Sequence, residues 1–106
     1  MPTYKNNPTA VEDIAKTIID IGKLCENHGV KKVIISGVIV RKLGYMERRR
    51  TVLNSLLKEL CHTNKYVFID NDNITREHLA NDGVHLEKDG TITLANNMLF
   101  ALHSLF

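Results

Sequence analysis

Two residues with the types and spacing of a catalytic pair, Asp82 and His85, occur in the stretch Asn-Asp-Gly-Val-His-Leu at residues 81–86. Residues three apart share one side of a helical turn or tight loop, so the Asp82 carboxylate can accept a hydrogen bond from a ring N–H of His85. Such a bond fixes the tautomer of the imidazole and raises its basicity, which is the orienting half of a hydrolytic triad. Asp and His also meet at this spacing by chance in solvated loops, so the context decides between the two interpretations.

The composition indicates one globular unit without a strong charge. A chain of 106 residues makes a single domain, residues 1–106, with one hydrophobic core. Lys and Arg number 14 and Asp and Glu 12, a net charge of +2, which is too small for a strong nucleic-acid-binding field, and we expect no nucleic-acid partner. The sequence has no secretory pattern and no apolar run of about 18 residues, so we expect no membrane span.

The cysteines and histidines show no metal-ligand pattern. Cys25 and Cys61 occur late in apolar helical patterns without Cys-x-x-Cys spacing, and we interpret them as buried small hydrophobic residues in a reducing, cytoplasmic compartment. The remaining histidines lack paired spacing, and residues 70–73 lack the glycine and glutamate of a calcium loop. We therefore predict no metal and no cofactor.

Helical periodicity predicts three main helices and one short helix at residues 74–80. The first follows an extended lead-in at residues 1–8, begins at Ala10 behind a capping box of Thr9 and Glu12, and ends at a left-handed Gly29. The other helices are expected at residues 45–62, capped by Asn64, at residues 74–80 and at residues 91–105. The stripe that should bury the last helix comprises Leu94, Ala95, Met98, Leu99, Leu102 and Leu105.

Two apolar runs predict parallel strands. Residues 33–40 and 66–70 are rich in β-branched and aromatic residues without alternation, which is typical of strands covered on both faces. The order is therefore α-β-α-β-α. Two strands are too few to close such a sheet, so the pattern indicates half of a doubly wound parallel α/β domain whose edges need cover. We expect a second copy to provide that cover in a homodimer.

Residues 79–91 resemble the last sequence block of the SGNH (GDSL-type) hydrolase family, in which an Asp-x-x-His loop precedes a polar turn, a glycine and a final helix. Residues 33–38 and Arg41 also resemble the penultimate strand of that family and the loop after it. The resemblance covers nearly all of this chain but only the C-terminal half of the family domain. It implies half of a flavodoxin-like sheet, with His85 as general base and Asp82 as its orienting partner in the hydrolysis of carboxylic esters.

The chain departs from the family in its other blocks. It contains no Gly-Asp-Ser, which carries the nucleophile of the family, and no Gly-x-Asn-Asp, which completes the oxyanion hole. Without a nucleophile and oxyanion donors, a His–Asp pair has nothing to activate and no charge to stabilise. We therefore expect only background hydrolysis by this chain alone, and a small ester as substrate only if another polypeptide supplies the missing half.

Two other features have a functional alternative. Ser36 lies at the carboxyl end of the first strand, where ligands bind in open α/β sheets, but it lacks the Gly-x-Ser-x-Gly elbow and is interpreted as structural. Arg41, Lys42 and residues 48–50 could contact phosphates. A solvated helix face, with Glu47 among its charge partners, is the simpler interpretation. The alternative to an esterase is a non-catalytic α/β module that pairs through its sheet edge or binds nucleic acid through this basic face.

Overall fold

The computed structural model describes residues 8–41 and 47–105, apart from the side chains of residues 8 and 9. Along the chain the elements are helix α1 (Pro8–Asn27), strand β1 (Ile34–Ser36), helix α2 (Glu47–Asn64), strand β2 (Val67–Ile69), a 3₁₀ turn (Arg76–His78) and helix α3 (Lys88–His103). The two strands are parallel. The predicted α/β class and the α-β-α-β-α order are confirmed.

Helix α1 has the predicted end and an earlier start. It begins at Pro8 rather than Ala10, because proline is well suited to a first helical turn, where its missing N–H would have no partner inside the helix. The predicted Thr9 capping contact lies outside the described side chains. At the other end Gly29 has φ 96°, and the N–H of Val30 donates to the Cys25 carbonyl at 3.1 Å. This is the predicted left-handed cap, in the Schellman form.

Helix α2 ends in the same way but without a glycine. Its predicted start near residue 45 lies outside the described residues. At its end Asn64 Nδ2 donates to the carbonyl of Leu60 at 2.8 Å, which confirms the predicted cap. Lys65 then adopts φ 61°, and the N–H of Tyr66 donates to the Cys61 carbonyl at 2.8 Å. A lysine therefore occupies the left-handed position that glycine usually fills.

Both strands are shorter than the apolar runs that predicted them. In the ladder Ile34 lies opposite Val67 and Ser36 opposite Ile69. The ladder ends at Gly37, whose N–H donates to the Ile69 carbonyl at 2.8 Å. A Cβ at Gly37 would lie 2.9 Å from that carbonyl oxygen, so only glycine allows this approach. The residues after Gly37 form a loop at the carboxyl edge of the sheet rather than the predicted continuation of the strand to residue 40.

The main core lies between the sheet and helices α1 and α2. It is built around Ile19, Cys61 and Tyr66, with Ile35 and Phe68 of the two strands packed against it. Cys61 is buried as predicted, and burial raises the pKa of its thiol, whereas Cys25 is only half-buried. Because side chains alternate along a strand, Val67 and Ile69 project to the other face, where α3 packs on β2.

Helix α3 differs most from its prediction. It begins at Lys88 rather than near residue 91, and the short helix expected before it is only the 3₁₀ turn. Small residues, Gly90 and Ala101, form its buried face. A Cβ at Gly90 would lie 2.8 Å from His78 Cβ, so this close contact excludes larger side chains. The apolar stripe that was expected to bury the helix is not its buried face: Met98, Leu99 and Leu102 are each more than 40% exposed.

Candidate active site

The loop that carries Asp82 and His85 is closed at its base. Leu79 and Leu86 form an antiparallel bridge, and the N–H of Ala80 donates to the His85 carbonyl at 2.7 Å. Between them Gly83 takes the left-handed conformation, with φ 72°. We call residues 79–86 the Asp82–His85 loop. Its backbone bonds fix where the two side chains project.

The Asp82 carboxylate organises this loop. Its Oδ1 accepts the backbone N–H groups of Val84 and His85, each at 2.9 Å, and its Oδ2 pairs with His85 Nδ1. The hydrogen bond from the His85 ring, followed by those from the two backbone N–H groups, holds the pKa of the Asp82 carboxyl well below its usual range. Asp82 is therefore ionised at neutral pH and acts as an acceptor.

The other side of the His85 ring is accessible. The side chain is 80% exposed, and across residues 8–41 and 47–105 its Nε2 has no hydrogen-bond partner. The ring lines an open cleft of about 520 Å³ together with residues 38–41, Val84, Leu86 and Thr91. An exposed imidazole with Nδ1 held by a carboxylate and Nε2 unbonded has the arrangement of a triad base. The structure thus brings the two predicted residues together; their catalytic roles stay a prediction.

The wall of the cleft opposite His85 is held by helix α2. The Val38 N–H donates to Asn54 Oδ1 at 2.8 Å, and Asn54 Nδ2 donates to the Val38 carbonyl at 3.0 Å. These bonds replace a neighbouring strand, which explains why β1 stops early although its sequence favours extension. Arg50 also donates to the Val38 carbonyl, at 3.1 Å.

Arg50 is not part of a solvated basic face. Its Nε donates to Glu47 Oε2 at 3.0 Å and its Nη1 to Asp72 Oδ1 at 3.5 Å, and its side chain is only 16% exposed. The Glu47 pairing was expected. The ion pair lowers the pKa of Glu47 and raises that of Arg50. Arg50 therefore ties α2 to the loops that follow both strands.

A buried amide that sequence reasoning missed lies at the same edge of the sheet. Asn71, only 3% exposed, donates to Ser36 Oγ at 2.9 Å and to the Gly37 carbonyl at 2.8 Å. It accepts from Asn97 Nδ2 at 2.9 Å, and Asn97 also donates to Asn73 Oδ1 at 2.8 Å. We call these four polar side chains the Asn71 cluster. An asparagine directly after a buried strand was the signal available in the sequence.

The Asn71 cluster accounts for Ser36. Its hydroxyl accepts a hydrogen bond from Asn71, and Ser36 is not among the described residues that line the His85 cleft. This arrangement supports the structural interpretation of Ser36 rather than a nucleophilic one.

The described part of the chain holds no group of three His, Cys, Asp or Glu side chains arranged to bind a metal. Within the same residues, no helix has the length and apolar character needed to cross a membrane.

Comparison with known proteins identifies the fold. The structure is similar to the esterase domain of the ZfL2-1 ORF1 protein from the zebrafish ZfL2-1 retrotransposon, with a TM-score of 0.78 and 23% sequence identity over 89% of this chain. The chain spans 60% of that solved structure. No family model and no curated protein matches the sequence. The protein therefore has an esterase-like α/β fold over part of the length of such a domain.

Proposed function

We propose that this chain supplies the His–Asp part of an SGNH (GDSL-type) carboxylic ester hydrolase. The observation that carries the proposal is the Asp82–His85 pair itself: the carboxylate occupies Nδ1, and the ring lines an open cleft on an esterase-like fold. The resemblance of residues 79–91 to the last block of that family points the same way.

The proposed chemistry follows from which nitrogen is occupied. His85 Nδ1–H donates to Asp82, so Nε2 carries the lone pair that accepts the proton of a serine hydroxyl as its oxygen attacks an ester carbonyl. Asp82 keeps the ring in this tautomer and stabilises the imidazolium. His85 then gives the proton to the departing alkoxide, and water hydrolyses the acyl enzyme by the same route. The reaction requires no cofactor.

The nucleophile comes from another polypeptide segment in this proposal. The sequence has neither Gly-Asp-Ser nor Gly-x-Asn-Asp, so the chain on its own has no oxyanion donors to lower the barrier. A small carboxylic ester is the substrate class. The free thiols Cys25 and Cys61 support a reducing, cytoplasmic setting.

A chimaera tests the proposal. The chain would be joined at its amino end to the part of the zebrafish esterase domain that has no counterpart here, and hydrolysis of p-nitrophenyl acetate would be followed. We expect turnover by the chimaera and only background rates from the chain alone. Changing His85 to Ala should reduce kcat by about 10³-fold or more, and Asp82→Asn by about 10²–10⁴-fold.

The matched control is His103→Ala, at the exposed end of α3, which should leave the rate unchanged. An active chimaera that keeps full turnover after His85→Ala would refute the catalytic role of His85.

The second candidate is a non-catalytic module that pairs through its sheet edge. It is favoured by the outer edge of β1, where the described residues place no partner strand. Binding of nucleic acid by the basic run is less well supported, because Arg50 is engaged with Glu47 and Asp72.

A further inference from the structure

The outer edge of β1 carries backbone groups that β2 does not use. In a parallel ladder the residues of a strand alternate between pointing their N–H and C=O toward one neighbour and toward the other. Val33 accepts from Val67, and Gly37 donates to Ile69, so Val33, Ile35 and Gly37 point toward β2. Ile34 and Ser36 therefore point away from it. Within the described residues, no partner strand lies on that side.

The apolar stripe of α3 lies on the same side of the molecule. Thr91 lines the cleft with residues 38–41, which follow β1, while Phe100 and Asn97 lie with residues 67–70 of the β2 side. Side chains at i, i+4, i+7 and i+11 share one face of a helix. The face shared with Thr91 comprises Ala95, Met98 and Leu102. We define the open face as the free edge of β1 together with this stripe.

The amount of exposed surface is large for a chain of this mass. The accessible surface is 7823 Å², whereas a compact protein of 12.0 kDa exposes about 6000 Å². The radius of gyration is 14.9 Å and the shortest dimension 19 Å, against a radius of about 13 Å for a compact domain of this length. The excess is larger than the roughly 800 Å² that each partner buries in a standard interface.

We propose that the open face is the interface of a symmetric dimer. β1 pairs antiparallel with β1 of a second copy about a two-fold axis that passes midway between the two copies of Ile35, perpendicular to the sheet. The N–H and C=O of Ile34 then bond those of Ser36 in the other copy, and the reverse, which satisfies every group that points outward from the strand. The two copies then form one continuous sheet of mixed direction. This pairing does not depend on whether His85 is catalytic.

The same axis brings the two apolar stripes toward each other. A two-fold axis perpendicular to the sheet keeps both copies of α3 on one face. Since α3 packs on β2, and the two copies of β2 lie three strand spacings apart, the helices over them are about 14 Å apart. Met98 and Leu102 from both copies, with Ile34 beneath them, fill this space. The net charge of +2 sets only a small electrostatic cost on association.

We prefer a second copy over another occupant because the outward N–H and C=O groups of this edge can pair antiparallel with the same groups of another copy. A remaining part of an esterase-like domain that paired with this edge would compete with the second copy, and the test of dimerisation therefore uses the chain alone. Dimerisation is therefore a test separate from activity, and its failure would leave the Asp82–His85 proposal intact.

Sedimentation equilibrium of the full chain between about 1 and 100 μM tests the strand pairing. We expect a dimer, with slow hydrogen exchange at the Ile34 and Ser36 amides that becomes faster on dilution. Ile34→Pro removes only an outward N–H, which edge strands tolerate, and should raise the dimer Kd at least about 100-fold because two bonds are lost and the ring blocks approach. Ile34→Ala removes the same side chain but keeps the N–H, and should raise Kd less than about 10-fold.

Two substitutions on α3 test the helix stripe. Met98→Asp should dissociate the dimer, whereas Phe100→Asp, on the opposite flank, should leave Kd within about 3-fold of the parent. Both side chains are exposed in the single chain, and circular dichroism checks that both variants fold. The proposal is overturned by a folded monomer at 100 μM, by a dimer that Ile34→Pro leaves unchanged, or by a dimer that Phe100→Asp breaks and Met98→Asp does not.

Discussion

Two polar groups at the carboxyl edge of the sheet, the Asn71 cluster and the Asp82–His85 pair, have opposite environments. Asn71 is 3% exposed, and its amide both donates and accepts within the protein. The His85 side chain is 80% exposed and that of Asp82 48%, and His85 lines a cleft. A fully engaged buried amide stabilises the fold, whereas a half-engaged exposed imidazole remains able to accept a proton.

The contrast also shows how each group is positioned. The Asn71 cluster joins residues far apart in sequence and therefore depends on the whole sheet being formed. The Asp82–His85 pair is held by bonds within one short loop. We therefore expect damage to the first to appear as lost global stability, and damage to the second as a local change.

The largest effect on stability should come from Asn71→Ala. The substitution removes the buried donor of the Gly37 carbonyl and the hydrogen bonds of Asn71 to Ser36 and Asn97, which should lower the free energy of unfolding by about 2–3 kcal/mol. Urea denaturation followed by circular dichroism measures this loss. Asn73→Ala, at the exposed end of the same cluster, is the control and should cost only about 0.5 kcal/mol. Equal losses of unfolding free energy in the two variants would show that the burial of Asn71 does not make its hydrogen bonds more important for stability than those of Asn73.

One glycine substitution in each region should destabilise the protein, each by a different mechanism. Gly37→Ala places a Cβ 2.9 Å from the Ile69 carbonyl oxygen and 3.0 Å from Phe68 Cζ, which should cost about 2 kcal/mol through overpacking. Gly83→Ala meets a left-handed backbone, φ 72°, and should cost about 1 kcal/mol. Hydrogen exchange should speed up across the β1–β2 ladder in the first variant but mainly at Val84 and His85 in the second. Identical exchange patterns in the two variants would contradict the expectation that the first substitution disturbs the sheet and the second only the loop.

The smallest effect, present at neutral pH and lost at acid pH, should come from Asp82→Asn. The pKa of Asp82 is lowered in the folded state, so the stability that its ionised form contributes is present above the unfolded value of about 3.9 and is lost as the pH falls through the lowered folded value. Urea unfolding from pH 5 to pH 2 should show the parent and the variant converging toward acid. Asp20→Asn, an exposed carboxylate on α1, is the control. Parallel plots of unfolding free energy against pH for the parent and Asp82→Asn would contradict the pairing of ionised Asp82 with His85.

The sequence predicts the elements well where the signals are local. The order α-β-α-β-α, the left-handed Gly29 and the Asn64 cap are confirmed because each depends on residues within one or two turns. The strand prediction to residue 40 is wrong because Asn54, on α2, binds the backbone of Val38. A run of β-branched residues favours extended backbone, but the side chain of Asn54, distant in sequence, determines where the ladder ends.

The stripe predicted for α3 is wrong for a related reason. Periodicity identified the apolar residues of the helix but could not show that Gly90 and Ala101, which are small, allow the closest approach to its neighbours. The large residues Met98 and Leu102 are left for the open face. Burial depends on which neighbour is present, and that information is not contained in the period of one helix.

The sequence by itself determined the Asp82–His85 arrangement, because residues three apart in a tight loop meet whatever surrounds them, and because the carboxylate can bind both the ring and the backbone of the same loop. Only the tertiary structure decided that Ser36 is bound by Asn71 and that Arg50 joins α2 to the loops after both strands. These contacts join residues more than ten positions apart, and only the packing of helices on the sheet fixes which of them meet.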